Sequence, residues 1–163
     1  MKRIFAAALL ICLVILSGCN AEDAPKSYRN DLTPQAISDA CAPAISSYSL
    51  LTAADEDYIR FRLMLDETMM ESCVVYIQNA GTSIDEFGII KSRTDYTEAV
   101  ESAVADYLAR RVEEWTGQYM VEEFPKLQAA NYKTFGSYTV YTILSEDDKE
   151  ILYPAVSNML AEK

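Results

Sequence analysis

The chain has 163 residues, half of them hydrophobic, and a formal net charge of −11 at neutral pH. This length and apolar content predict one domain of ordinary size with a sizeable core, and they exclude a disordered tail. The acidic balance disfavours nucleic acid as a partner, and the lack of any histidine excludes Ser-His and Cys-His catalytic sites and histidine-based zinc sites.

The N-terminus has the layout of a secretory leader. Lys2 and Arg3 precede an almost wholly apolar run over residues 4–16, shorter than the ~20 residues that a bilayer-spanning helix needs. The run leads into Ser17-Gly18-Cys19, which with Leu16 resembles the lipobox of bacterial lipoproteins. The alternatives are a plain signal peptide and an uncleaved anchor.

The lipobox implies a cleaved leader and an acylated cysteine. We expect residues 1–18 to be a signal peptide, cut between Gly18 and Cys19, with the Cys19 thiol carrying a diacylglycerol. Two long acyl chains hold a protein stably on a membrane where one chain does not. The prediction is therefore a lipid-anchored protein on the outer face of the cytoplasmic membrane.

Two cysteines remain for other chemistry once Cys12 is lost with the leader and Cys19 is lipidated. In an exported protein, Cys41 and Cys73 could form a disulfide that closes a loop of about thirty residues. The alternative is two buried thiols that act as small hydrophobic side chains. The sequence leaves both open.

The apolar content of the mature chain rises near Thr33. Residues 19–33 have little apolar content, which predicts a flexible tether, and residues 34–163 are then the domain. Thr33 followed by Pro34 is typical of a helix start, and apolar spacing extends the predicted helix to about residue 47. For residues 50–70 we predict helical turns and nothing more definite.

Two strand pairs follow. Residues 73–77 and 84–91 are rich in β-branched and aromatic residues and are separated by a turn signal at residues 79–82, which predicts an antiparallel hairpin. A second hairpin is predicted from residues 132–135 and 138–144. Its two-residue loop, Gly136-Ser137, has the glycine first, as a type II′ turn requires.

Three further helices surround the second hairpin. The longest is predicted to open at Thr94-Asp95 with a capping box completed by Glu98, and to end at Gly117. A short helix is predicted to begin at Pro125, and a last one to be capped by Ser145. This order predicts a single α+β domain in which an antiparallel sheet of three to four strands, arranged as hairpins, packs against helices.

The part of the chain from Cys73 onward resembles a family of small lipoproteins of low-GC Gram-positive bacteria, the domain-of-unknown-function 4358 family. The residues that carry the resemblance are Val74-Val75-Tyr76, the stretch 85–91, the helix from Ala99-Val100 to Arg110-Arg111, and then Tyr119, Glu122, Lys126, Leu127, Gly136, Tyr138 and Val140. The resemblance implies a lipobox leader and a shared fold. It brings no assigned activity.

Carboxylates are the remaining candidates for catalysis. Asp85 with Glu86, or Asp55 with Asp57, could serve as the two acids of a glycoside hydrolase. Because neighbouring residues on a strand point to opposite faces, we do not expect Asp85 and Glu86 to share a cleft. The acidic runs at 55–57 and 146–148 are interpreted as helix starts rather than calcium sites, so no metal and no cofactor is predicted.

Aromatic residues are the last candidates for a site. A binding surface is predicted at Trp115, Tyr119, Tyr138 and Tyr141, although core packing would give the same spacing. Together these patterns favour a non-catalytic binding or interaction module of the cell envelope, with an envelope protein or a wall component as its partner. The alternatives are a carboxylate-only hydrolase of cell-wall glycan and a small-solute receptor.

Overall fold

A computed structural model describes residues 27–79, 81–116 and 120–162. The predicted leader, the cleavage site at Gly18 and Cys19, and the first part of the tether lie outside these residues, as does Tyr119.

The described residues contain a five-stranded antiparallel sheet, which confirms the α+β prediction. Its strands are β1 (Thr52–Ala53), β2 (Met70–Ile77), β3 (Glu86–Ser92), β4 (Asn131–Phe135) and β5 (Tyr138–Ile143), in the order β1-β2-β3-β5-β4. Both predicted hairpins are present, and pairing of β3 with β5 joins them. The sheet has five strands rather than three to four because β1, which has no strand signal of its own, pairs with the end of β2.

Helices cover both faces of this sheet. They are α1 (Pro34–Cys41), α2 (Glu56–Tyr58), α3 (Thr97–Glu113), α4 (Phe124–Gln128) and α5 (Glu146–Leu160). A π-helical turn at Ile59–Leu63 continues α2, and short 3₁₀ turns lie at Ala42–Ala44, Tyr48–Leu50 and Val121–Glu123. One layer of the core lies beneath α1 and α5, and the other lies beneath α2, α3 and α4.

Strand β5 lies between the two helical layers, and all six of its residues are buried. Successive side chains of a strand point to opposite faces. Tyr138 therefore packs in the layer of α1 and α5, and Tyr141 packs in the layer of α3, each with no exposed surface. This double burial explains why β5 carries aromatic and aliphatic side chains on both of its faces, with one buried threonine, Thr139 or Thr142, on each.

Three helix starts follow their predicted caps. Thr33 Oγ1 accepts a hydrogen bond from the amide of Ala36 at 3.1 Å, and Ser145 and Asp55 cap α5 and α2 in the same way. The acidic run at 55–57 thus acts at a helix start, as predicted.

Two helix boundaries were wrong. The first helix ends at Cys41 instead of residue 47, because Pro43 lacks the amide hydrogen that a continuing α-helix needs. The longest helix begins at Thr97, without a capping box, because Asp95 has a left-handed backbone with φ of 70°. An N-cap residue needs an extended backbone, so Asp95 cannot serve as one.

The last part of the predicted tether is packed on the domain. The amide of Arg29 donates to the carbonyl of Leu160 at 2.9 Å, and Tyr28 forms an isolated β-bridge with Ala161. The Tyr28 ring also meets the Phe135 ring edge to face, with centroids 5.6 Å apart. Tyr28 and Arg29 of the predicted tether therefore contact the domain directly.

The two remaining cysteines are free thiols on opposite faces of the sheet. Cys41 is buried beneath α5, with Sγ 3.8 Å from Sδ of Met159, and Cys73 packs against the layer of α3. The sheet separates them, so no disulfide joins them, and of the two thiols in the second alternative Cys41 is buried and Cys73 is half-buried. Burial raises the pKa of Cys73 to about 11.

Free thiols give a direct expectation for the processed, lipidated chain. After denaturation without a reductant, both Cys41 and Cys73 should react with a thiol reagent. In the native protein at pH 8, Cys73 should react roughly 100-fold more slowly than a free thiol, because a pKa of about 11 leaves little thiolate. Finding no reactive thiol in the denatured protein would show a disulfide instead.

Candidate functional site

An open cleft of about 300 Å³ lies where the connection between β2 and β3 meets α2 and α3. This volume is at the lower end of the range for small-molecule sites. Its polar lining comes from Tyr58, Gln78, Asn79, Ser83, Asp85, Glu86 and Arg111. All are described residues, and they come from three separate parts of the chain.

Glu86 forms the floor of the cleft and is only 2% exposed. Its Oε1 accepts hydrogen bonds from the hydroxyls of Tyr107 at 2.7 Å and Tyr141 at 2.6 Å. Its Oε2 accepts from the Tyr58 hydroxyl at 3.1 Å and from Arg111 Nη1 at 2.9 Å. A buried carboxylate is tolerated only when it is paired and hydrogen-bonded, and here three hydroxyls and a guanidinium meet that need.

Regular secondary structure brings these side chains together. Tyr107 and Arg111 are four residues apart on α3 and therefore share one face of the helix. Glu86 is the first residue of β3, and Tyr141 lies on the neighbouring strand β5. Tyr58, which lies on α2, completes the group, and its hydroxyl is 2.7 Å from the Tyr107 hydroxyl.

Burial keeps the tyrosine hydroxyls of this network protonated. It raises the pKa of Tyr58 to about 12, and burial together with the charge of Glu86 raises the pKa values of Tyr107 and Tyr141 further. The three phenols are therefore neutral hydrogen-bond donors at physiological pH, and the carboxylate of Glu86 accepts from all of them.

These raised values predict that the buried tyrosines ionise late in an alkaline titration. Unfolded tyrosine ionises near pH 10, whereas folded Tyr58 and Tyr153 have pKa values of about 12, so their contribution to stability is complete below pH 10 and is lost as the pH rises through 12. Absorbance at 295 nm should show that the buried tyrosines ionise only as the fold is lost. Titration of all eleven tyrosines near pH 10 with circular dichroism unchanged would contradict this.

A second ion-pair cluster lies beside Glu86. Lys126 Nζ is 2.7 Å from Asp85 Oδ1 and 2.7 Å from Glu123 Oε2. The same Glu123 oxygen accepts from the amide of Ile84 at 3.2 Å, and Ser83 Oγ donates to Asp85 Oδ2. Lys126 thus fastens α4 to the connection between β2 and β3.

The prediction that Asp85 and Glu86 cannot share a cleft was wrong. It assumed a strand over residues 84–91, but β3 begins at Glu86, so Asp85 precedes the strand and strand alternation does not govern its side chain. Both carboxylates line the cleft, and each is neutralised by an internal cation, Arg111 or Lys126. The other proposed pair does not line it, since Asp55 is the cap of α2.

The predicted aromatic surface is not formed as expected. Tyr138 and Tyr141 are fully buried in different layers because β5 is a central strand, although Tyr141 does contribute its hydroxyl to the Glu86 network. Trp115 is half-buried, and its ring stacks on that of Phe124 with centroids 5.9 Å apart. Tyr119 lies outside the described residues.

The sequence did not single out Tyr58, Tyr107 or Arg111. The sequence did contain a signal for Tyr107 and Arg111. They lie four residues apart along the apolar stripe of α3, so the Tyr107 hydroxyl and the Arg111 guanidinium can reach the same buried acid. Within the ranges that the structure describes, no group of three or more acidic or cysteine side chains could hold a metal ion.

The fold and the cleft define a single α+β domain with a three-layer helix-sheet-helix arrangement and a polar cleft at one end of the sheet. Residues 44–144 match the family model of the Domain of unknown function (DUF4358). The match spans more than half of the chain, so the chain belongs to this family, and it includes every residue of the Glu86 network. No curated protein and no solved structure matches the chain.

None of the helices in the described part of the chain is long and apolar enough to cross a membrane.

Proposed function

We propose that this protein is an extracytoplasmic lipoprotein, held on the outer face of the cytoplasmic membrane through acyl chains on Cys19, and that its domain binds an envelope protein or a wall component without catalysing a reaction. The lipobox sequence supports the anchor. The cleft supports binding.

The proposal that the domain binds without catalysis depends on the hydrogen bonds and ion pairs of the cleft carboxylates, Glu86 and Asp85. Hydrolysis by two carboxyl groups needs one acid that donates a proton and one base or nucleophile, both facing the substrate. Glu86 has both oxygens occupied by three hydroxyls and Arg111, and Asp85 is paired with Lys126. Such an arrangement is suited to a rigid wall that positions a ligand.

The anchor is tested with Cys19→Ala in the intact organism. The unaltered protein should incorporate labelled palmitate and sediment with membranes, whereas the variant should lose the label and should no longer be held at the membrane as a processed lipoprotein. Cys12→Ala, a cysteine within the leader, is the matched control and should behave like the unaltered protein. Equal labelling of the unaltered protein and Cys19→Ala would refute the anchor.

The absence of catalysis is tested separately on polymeric cell-wall glycan. The unaltered protein and Asp85→Asn should both release no soluble fragments, because neither cleft carboxylate is free to transfer a proton. Fragment release by the unaltered protein that Asp85→Asn abolishes would establish the hydrolase alternative in place of the binding module.

A further inference from the structure

A second concave surface lies on the other side of Arg111, and we define it as the arginine groove. It has a volume of about 170 Å³ and is lined by Phe61, Arg62, Met64, Tyr107, Arg110, Arg111 and Glu114. Arg111 lines this groove as well as the cleft above Glu86, so the two sites share one wall.

Two large apolar side chains stand exposed at this groove. Phe61 is 64% exposed and Met64 is 61% exposed, although most large apolar residues of the described chain are buried. Met64 also has a left-handed backbone with φ of 57°, which is unfavourable for a residue other than glycine. Met64 therefore presents an unbranched, adaptable side chain to solvent, although neither burial nor the left-handed backbone favours a methionine at this position.

The groove is cationic on an acidic protein. The chain as a whole carries a net charge of −11, yet the groove lining contains three arginines and one glutamate, and of these arginines Arg111 is paired with Glu86 of the neighbouring cleft. Arg62 is paired with Glu114 at 3.1 Å, whereas Arg110 Nη2 donates to the carbonyl of Arg62 at 2.8 Å and has no carboxylate partner among the described residues. Arg60 likewise has no ion pair there, and its guanidinium lies 5.5 Å from the centre of the Phe61 ring.

The groove lies at the end of the domain opposite the tether. Tyr28 packs beside Gly136, and Ser92 Oγ is 2.8 Å from Thr97 Oγ1, so the tether meets the domain near the start of α3. Arg110 lies toward the other end of this helix, about 20 Å away at 1.5 Å per residue. A bilayer reached through the tether therefore faces the start of α3 and not the groove, which favours a protein partner over a lipid surface.

We propose that the arginine groove docks an acidic segment of a partner protein, with an apolar side chain of that segment packed against Phe61 and Met64 and its carboxylates paired with Arg110 and Arg60. This proposal goes beyond the function proposed for the cleft above Glu86. The charges and exposed side chains of the groove belong to the domain and not to the lipid proposed on Cys19. Arginine suits such a contact because its planar guanidinium pairs with carboxylates in a fixed geometry.

The test uses the full-length chain in a mild detergent and labelled ten-residue peptides. The first probe has four glutamates around a leucine-phenylalanine pair, the second has lysines in place of the glutamates, and the third has alanines in place of the apolar pair. Fluorescence anisotropy should show binding of the first peptide alone, weakening by at least about tenfold between 50 and 500 mM salt.

Substitutions then locate the binding. Phe61→Ala and Arg110→Glu should each weaken the first peptide by at least about tenfold, whereas Lys133→Glu, an equal change of charge on the exposed side of β4, should leave its affinity within about twofold. Met64→Gly should weaken binding while raising the melting temperature by roughly a few degrees, because glycine accepts the left-handed backbone. That variant separates loss of the site from loss of the fold.

Three results would overturn the proposal. One is an equal loss of affinity in Lys133→Glu, which would show a non-specific charge effect. Another is binding to vesicles of anionic phospholipid, with none to the peptides, which would make the groove a membrane contact. The third is self-association in analytical ultracentrifugation that Phe61→Ala abolishes, which would make its occupant a second copy of the chain.

Discussion

Replacing Glu86 with glutamine should destabilise the domain by about 3–5 kcal/mol, the usual consequence of removing one partner of a buried ion pair. The substitution leaves Arg111 inside the protein without its carboxylate, and it puts an amide nitrogen against hydroxyls that now donate. Urea unfolding followed by circular dichroism measures the change. The unfolding midpoint should fall with little change in the slope.

A surface pair provides the control for this substitution. Glu71→Gln removes the partner of Lys91, but Glu71 is 43% exposed, so the expected loss is below about 1 kcal/mol. The double variant Glu86→Gln with Arg111→Met should recover part of the stability lost in Glu86→Gln, because it removes the guanidinium that has lost its carboxylate while the glutamine oxygen still accepts from tyrosine hydroxyls. A loss for Glu86→Gln no larger than that for Glu71→Gln would contradict the buried network.

Gly88→Ala should also destabilise the domain, by about 3 kcal/mol or more. Gly88 lies in the centre of β3, opposite Tyr141 on β5, and a Cβ atom there would lie 2.2 Å from Cε1 of the Tyr141 ring. The ring is fully buried and cannot turn toward solvent. Relief of the clash therefore requires a strand shift or loss of the hydrogen bond from Tyr141 to Glu86.

A double-mutant cycle isolates this clash. In a Tyr141→Ala background the ring is absent, so Gly88→Ala should add less than about 1 kcal/mol, whereas it should cost about 3 kcal/mol in the unaltered chain. Tyr141→Phe keeps the ring and removes only the hydroxyl, and its own loss should be about 1–2 kcal/mol. An equal effect of Gly88→Ala in both backgrounds would mean that the ring is not what excludes a Cβ atom.

The regular elements were predictable because their signals are local. The two hairpins, the Ser145 cap and the short helix at Pro125 depend on residues within a few positions of one another. Strand β1 was not predictable, since two residues become a strand only through pairing with Ile77 at the end of β2. The start of α3 was predicted wrongly for a related reason, because no signal in the neighbouring sequence indicates the left-handed backbone of Asp95.

The candidate site was only partly predictable, because it depends on contacts between distant segments. Asp85 and Glu86 were identified as acids of interest, but a boundary error of two residues placed them on opposite faces. Tyr58, Tyr107 and Arg111 converge on Glu86 from two helices, and no spacing within either helix encodes that meeting. Tyr141 was chosen as a surface residue and proved to be a buried donor, because its strand is central.

We propose that an envelope partner binds at the membrane in the cleft above Glu86. The most direct measurement places a photo-crosslinking amino acid at Asn79, an exposed residue that lines the cleft, in intact cells. We expect a discrete adduct at this position that is absent when the same group replaces Lys133 on β4, and that is lost when Cys19→Ala removes the anchor. No adduct at Asn79, or equal adducts at both positions, would contradict it.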